Sequence, residues 1–174
     1  MVEEAALPTA AIDAARAAAK AFLRVAQDHE DAAIGAQAAA ALSLCEAFTG
    51  RLLIARACTE TVAADGSWVR LGRTPAAAIT AVARIADDGS TAPLAAAEYQ
   101  VDIDASGDGW VRAAGPGRLR VSYTAGLASG WEAVPAPLAQ GIVRLAAHLF
   151  SERASDPPAA VTALWRPWRR LRLS

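Results

Sequence analysis

The residues that could carry chemistry are few and scattered. His29 lies in Asp28-His29-Glu30-Asp31, where an imidazole among carboxylates could bind a metal or exchange a proton. The same acids also suit the positive end of a helix, and a solvated helix start is the favoured reading. His148 lies near the end of an apolar-periodic segment, as a capping or partly buried histidine would. Asp102, Asp104 and Asp108 could be drawn as a calcium loop, but they lack the order of an EF-hand and its closing glutamate. Gly107-x-Gly109 and Gly115-x-Gly117 are too short for a dinucleotide-binding fingerprint. No serine sits in GxSxG and no HExxH occurs. Cys45 and Cys58 form no CxxC pair and have no ligand-spaced histidines. We therefore expect no catalytic residues, no metal and no cofactor.

Two groups of residues point to binding. The first is the C-terminal run Leu164-Trp165-Arg166-Pro167-Trp168-Arg169-Arg170-Leu171-Arg172-Leu173, with four arginines, two tryptophans and no acid. Tryptophan and arginine are the types most enriched at interaction hot spots, because each combines a large apolar area with directed polar contacts. Two readings stand: the segment docks on a partner, or it folds back so that the tryptophans fill the chain's own core. The second group is Arg118 and Arg120, which share one face of a strand. They could guard a sheet edge against aggregation, or form a basic surface along a channel or against an acidic neighbour.

The elements that must carry these residues follow from periodicity. Ala10 to Val25 is alanine-rich, with Arg16, Lys20 and Arg24 at every fourth position, which predicts a helix with one polar stripe. Asp28 or Asp31 is expected to cap a second helix. In it Ile34, Ala38, Ala41, Cys45 and Phe48 share a face, and Thr49-Gly50 ends it. Tyr99, Val101 and Ile103 alternate with polar residues, as do Leu119, Val121 and Tyr123, which predicts half-buried strands. Leu52 to Val62, Trp68 to Leu71 and Ile79 to Ile85 are further strands, separated by glycine- and aspartate-rich turns that favour antiparallel pairing. Pro135 and Pro137 suit a first helical turn, and Leu138, Ile142, Leu145 and Leu149 give the stripe that follows. A short helix is expected from Ala159 to Arg166, with an extended end from Trp168 to Ser174. The fold class is α+β, one domain over 1–174. A helical bundle (10–50 and 134–153) carries an inserted small antiparallel β region (51–126), and 159–174 forms a docking tail.

Bulk properties narrow the partners. The 174 residues carry a net charge of −1, which gives no global attraction to nucleic acid or membrane surfaces. The longest uncharged run, Ala32 to Cys45, is expected to be too short to span a bilayer, and the start lacks the pattern of a signal peptide. A soluble protein made in the cytoplasm is expected.

One ordered series of segments covers residues 20–174. It begins with Glu46-Ala47-Phe48-Thr49-Gly50-Arg51 and Tyr99-Gln100-Val101-Asp102. Val121-Ser122-Tyr123-Thr124-Ala125-Gly126-Leu127 and Val134 through Ile142 follow, then Arg144 through Phe150 and Leu164 through Leu173. This series resembles the head–tail connector (adaptor) family of tailed phages, including the versions found in gene-transfer agents. The resemblance implies a non-enzymatic structural protein of the particle's head–tail joint. It implies a ring of about twelve identical copies between the portal protein and a tail-side connector or stopper. It also implies that residues 164–173 reach toward the portal, and that any contact with passing DNA is non-specific. The chain departs from the family at residues 1–19 and 26–31. The alternatives are a small enzyme using His148 or the Asp102–Asp108 loop, or a DNA-binding module acting through the C-terminal arginines.

Overall fold

The structure, a computed structural model, describes residues 1–151 and 156–170. The chain divides into a helical unit, Leu7–Ile54 with Ala128–Ser174, and a β unit, Met1–Ala6 with Ala55–Leu127.

The helical unit contains α1 (Thr9–Leu23), α2 (Asp31–Thr49), α3 (Ala136–Ser151) and α4 (Ala159–Trp165). Helices α1, α2 and α3 pack pairwise, and α4 lies on α3. Small side chains decide the packing of α1: Ala11, Ala15 and Ala19 are its buried residues, and their fourth-residue spacing lets another helix approach closely. The heavier core comes from Ile34, Leu42, Leu138 and Ile142, all fully buried. At the C-terminus of α1, Arg24 takes a left-handed conformation (φ 57°), an uncommon position for a side chain with a Cβ. Gly50 does the same after α2 (φ 68°) without that penalty, and its N–H donates to Glu46 O at 2.9 Å.

The expected cap of α2 is corrected. The residue before the helix is Glu30, and no side chain caps it. Asp28 and Asp31 instead receive the Lys20 ammonium, Asp28 Oδ1 at 3.0 Å and Asp31 Oδ1 closer still. The chain's one lysine therefore ties α1 to the start of α2. Helix α2 ends at Thr49 as expected, but the expectation that this stretch is too short to span a bilayer is corrected. At 19 residues, with a mean hydropathy of 1.3 over an 18-residue window, it is long and apolar enough to cross a membrane by length and composition. Residues on both sides of the uncharged run join the helix. Its apolar stripe, Ile34, Ala38, Ala41, Leu42 and Cys45, is the core of the bundle.

The β unit has two antiparallel sheets. The strands are β1 (Val2–Glu4), β2 (Arg56–Ala64), β3 (Val69–Arg70), β4 (Ala76–Ile85), β5 (Thr91–Pro93), β6 (Tyr99–Ile103), β7 (Gly109–Ala113) and β8 (Gly117–Ala125). One sheet has the order β1-β2-β8-β4-β5 and the other β3-β7-β6. In β8 the alternation is realised: Leu119, Val121 and Tyr123 are buried, while Arg118 and Arg120 are exposed. Val62, Val82, Val111 and Leu71 complete this core. Gly109 of the smaller sheet sits where a Cβ would meet Ala76 Cβ at 3.1 Å and Leu71 Cδ1 at 3.0 Å, so glycine permits the close approach.

Strand β6 departs from expectation. Its alternation is regular, yet Val101 and Ile103 are 42% and 38% exposed. They flank buried Val111 and Gly109 in register, but β6 is the sheet's outer strand and little covers it. Three strands lack a sequence signal. β1 and β5 are three-residue edge strands, and β7 begins inside what reads as a glycine turn.

Candidate functional site

The C-terminal segment is placed against the chain's own helical unit. Trp165 is 3% exposed. Its ring fills a notch that exists because residue 141 has no side chain: a Cβ at Gly141 would lie 2.1 Å from Trp165 Nε1. The indole N–H donates to Leu138 O at 3.3 Å, using the carbonyl that α3 exposes beside the notch. Phe48 of α2 meets the indole with ring centroids 5.9 Å apart and planes tilted by 53°. Beyond α4, a 3-10 turn at Arg166–Trp168 turns the chain back. Arg169 places its guanidinium 5.6 Å from the Phe48 ring centroid. The Arg170 N–H then donates to Thr49 O at 2.9 Å, satisfying a carbonyl left open at the end of α2.

The proposed docking residues therefore separate into classes. Trp165 is internal and acts as the anchor of the segment. Leu164, Trp168 and Arg170 are half-buried, and Arg166 and Arg169 are exposed. Leu171, Arg172 and Leu173 lie outside the described residues. What remains outward is an arginine-rich surface held in place by a buried tryptophan. Gly141 was missed by sequence reasoning. Its signal was a glycine inside a strongly periodic helix, where it costs about 1 kcal/mol relative to alanine and so asks for a packing reason.

Arg118 and Arg120 are not at a sheet edge. β8 is the central strand, paired with β2 on one side and β4 on the other. The edge-guarding reading is corrected accordingly: both side chains stand on the open face of the larger sheet.

The other candidates are absorbed by structure. Asp104 organises its turn, with Oδ1 accepting from Ser106 N–H (2.8 Å) and Asp108 N–H (2.9 Å), and Oδ2 from Trp110 Nε1 (3.0 Å). Asp108 is buried, with Arg70 Nη1 at 3.8 Å from its Oδ2. His29 is exposed and His148 half-buried. Among the described residues no cluster of three or more histidine, cysteine or acidic side chains could hold a metal.

A second polar assembly was not foreseen. Glu4 of β1 bridges Arg56 Nη2 at 3.2 Å and Arg73 Nε at 2.5 Å. The Tyr123 hydroxyl donates to Glu60 Oε2 and accepts from Arg73 N–H, both at 3.1 Å. Burial pushes the Tyr123 phenol well above its ordinary range, so it stays a neutral donor. These contacts fasten β1 and the 72–73 loop onto the sheet, which is a structural role.

Comparison with known proteins gives a consistent picture. No protein-family model matches the chain. No curated protein matches it. Among solved structures, a chain in the neck of an empty gene transfer agent (GTA) particle with C6 symmetry is 28% identical, with a TM-score of 0.84. A chain in the virion of a native GTA particle is 28% identical (TM-score 0.78), and one in a native GTA neck with C12 symmetry is 29% identical (TM-score 0.75). Each match covers 100% of this chain and 97% of the other. Over its full length the fold is thus similar to chains of gene transfer agent necks and of a gene transfer agent virion.

Proposed function

We propose that this chain is a structural subunit of the neck of a gene transfer agent or related phage-like particle, where identical copies form a ring joining the portal to the tail. The observation that carries this reading is the full-length similarity to chains of GTA necks, in structures with C6 and C12 symmetry. A ring of like subunits needs unlike surfaces on its two sides, so that contacts run head to tail and close. Twelve copies would fit the C12 case.

Portal docking falls to the C-terminal surface. Trp165 sets the segment's position, and the exposed Arg166 and Arg169, with half-buried Leu164, Trp168 and Arg170, supply the contact. Leu171, Arg172 and Leu173 follow these residues in sequence. The contact of one copy can be weak, because many copies engage together and each raises the effective concentration of the next. The work is geometric and needs no catalysis. A tail-side connector would meet another face of the ring, and DNA passing through would touch it without sequence preference.

Deleting the gene from a particle-producing host tests this reading. DNA-filled heads without tails in electron micrographs are the expected product. Normal tailed particles would refute it.

A further inference from the structure

The open face of the five-stranded sheet differs from an ordinary solvated sheet face. An antiparallel sheet with one side in water usually alternates buried apolar residues with charged ones. Here the outward residues are mostly alanine, threonine and serine. Arg118 is flanked in register by Ala63 on β2 and Ile85 on β4, and Arg120 by Thr61 and Ala83. Among the paired strand residues of this face the one acid is Glu3, out on edge strand β1, opposite Thr59. Neither arginine makes an ion pair or a side-chain hydrogen bond among the described residues. Two like charges thus stand about 7 Å apart, two residues along a strand, with no ion-pair partner among the described residues.

The same unit carries the opposite charge at a projecting point. The turn between β4 and β5 presents Asp87 and Asp88, both exposed, and Gly89 there has open space around it. Ser90 bonds to the tip, its N–H at 2.8 Å and its hydroxyl at 2.6 Å from Asp88 Oδ1. These bonds also keep the Asp88 carboxyl below its ordinary pKa, so it stays ionised. Neither aspartate pairs with a cation among the described residues, although the tip lies only two residues beyond Ile85, the cross-strand neighbour of Arg118.

We infer that the open face bearing Arg118 and Arg120 receives the Asp87–Asp88 tip of a second copy of this chain. The inference rests on the ring reading above and names one of its interfaces. A head-to-tail contact requires two unlike, complementary surfaces on one chain, and the cationic face and the anionic tip are such a pair. The small side chains around the arginines leave room for a turn's backbone to lie close to the sheet.

The test uses assembled particles. A photo-crosslinking benzoylphenylalanine is placed at Ala81, exposed on the same face. The expected result on illumination is a covalent dimer whose crosslinked peptide contains Asp87 and Asp88. In a second arm, Arg118→Asp with Arg120→Asp lowers the yield of tailed particles by about tenfold or more, as expected when two charge contacts become repulsive. Adding Asp87→Arg and Asp88→Arg to that variant restores the yield. A crosslink to another protein, to DNA or to a different segment of the second copy overturns the inference. So does absence of any crosslink in particles that contain the chain, or failure of the charge exchange to restore yield. Particles that lack the chain altogether would instead refute the neck assignment itself.

Discussion

Replacing Gly141 with alanine should destabilise the helical unit, against the usual trend for a helix interior. Alanine is favoured over glycine there by about 1 kcal/mol, so the substitution begins with a gain. The new methyl would lie 2.1 Å from Trp165 Nε1 and 2.8 Å from Cδ1 and Cε2. Ordinary contact needs about 3.5 Å or more, so the indole must withdraw by more than 1 Å. Such overpacking costs about 1–3 kcal/mol. Withdrawal also weakens the 3.3 Å bond to Leu138 O, worth about 1 kcal/mol. The balance is a loss of about 1–3 kcal/mol, readable as a lower urea midpoint followed by tryptophan fluorescence. Gly35→Ala on α2 is the control. A Cβ there meets only Arg16 Cδ at 3.5 Å, so stability should rise by up to about 1 kcal/mol. A Gly141→Ala variant as stable as the wild type would refute the account of how the C-terminal segment is anchored.

Trp165→Ala should cost about 3–5 kcal/mol, because a fully buried indole leaves a cavity, whereas Trp168→Ala, half-exposed, should cost less than about 1 kcal/mol; parallel denaturation curves compare them. The hydrogen bond from Lys20 holds the Asp31 carboxyl below its ordinary range, and the bond to Asp31 holds the Lys20 ammonium above its own. The Asp31 contribution is therefore present above the unfolded carboxyl pKa and lost as pH falls through the lower folded one. The Lys20 contribution is complete below its unfolded pKa and lost as pH rises through the raised one. Asp31→Asn should flatten the stability profile at both extremes, and melting curves across pH would show it. Burial pushes both the Cys45 and the Cys58 thiol up, so neither should react with iodoacetamide in the native protein at neutral pH. After denaturation both should be labelled, as mass spectrometry would report.

Where burial follows strictly from periodicity, the sequence is a good guide. The Leu138–Ile142–Leu145 stripe of α3 and the Leu119–Val121–Tyr123 alternation of β8 both face cores. Periodicity fails where neighbours decide. β6 alternates as regularly as β8, but it is an outer strand, so Val101 and Ile103 stay partly exposed. Arg118 and Arg120 read as an edge because strand order cannot be seen along one strand. The docking surface is harder still. Whether Trp165 faces inward depends on Gly141 and Phe48, distant residues of other helices, and only the packed bundle brings them together. The start of α2 shows a similar competition: Asp28 and Asp31 have the chemistry of caps, but the Lys20 ammonium engages both.

The most direct measurement is cryo-electron microscopy of particles purified from a host that produces this chain. The account predicts a ring of copies of this α+β fold in the neck, between portal and tail, with the C-terminal arginine surface toward the portal. Particles whose neck is built without this fold, or that lack the chain, would contradict it.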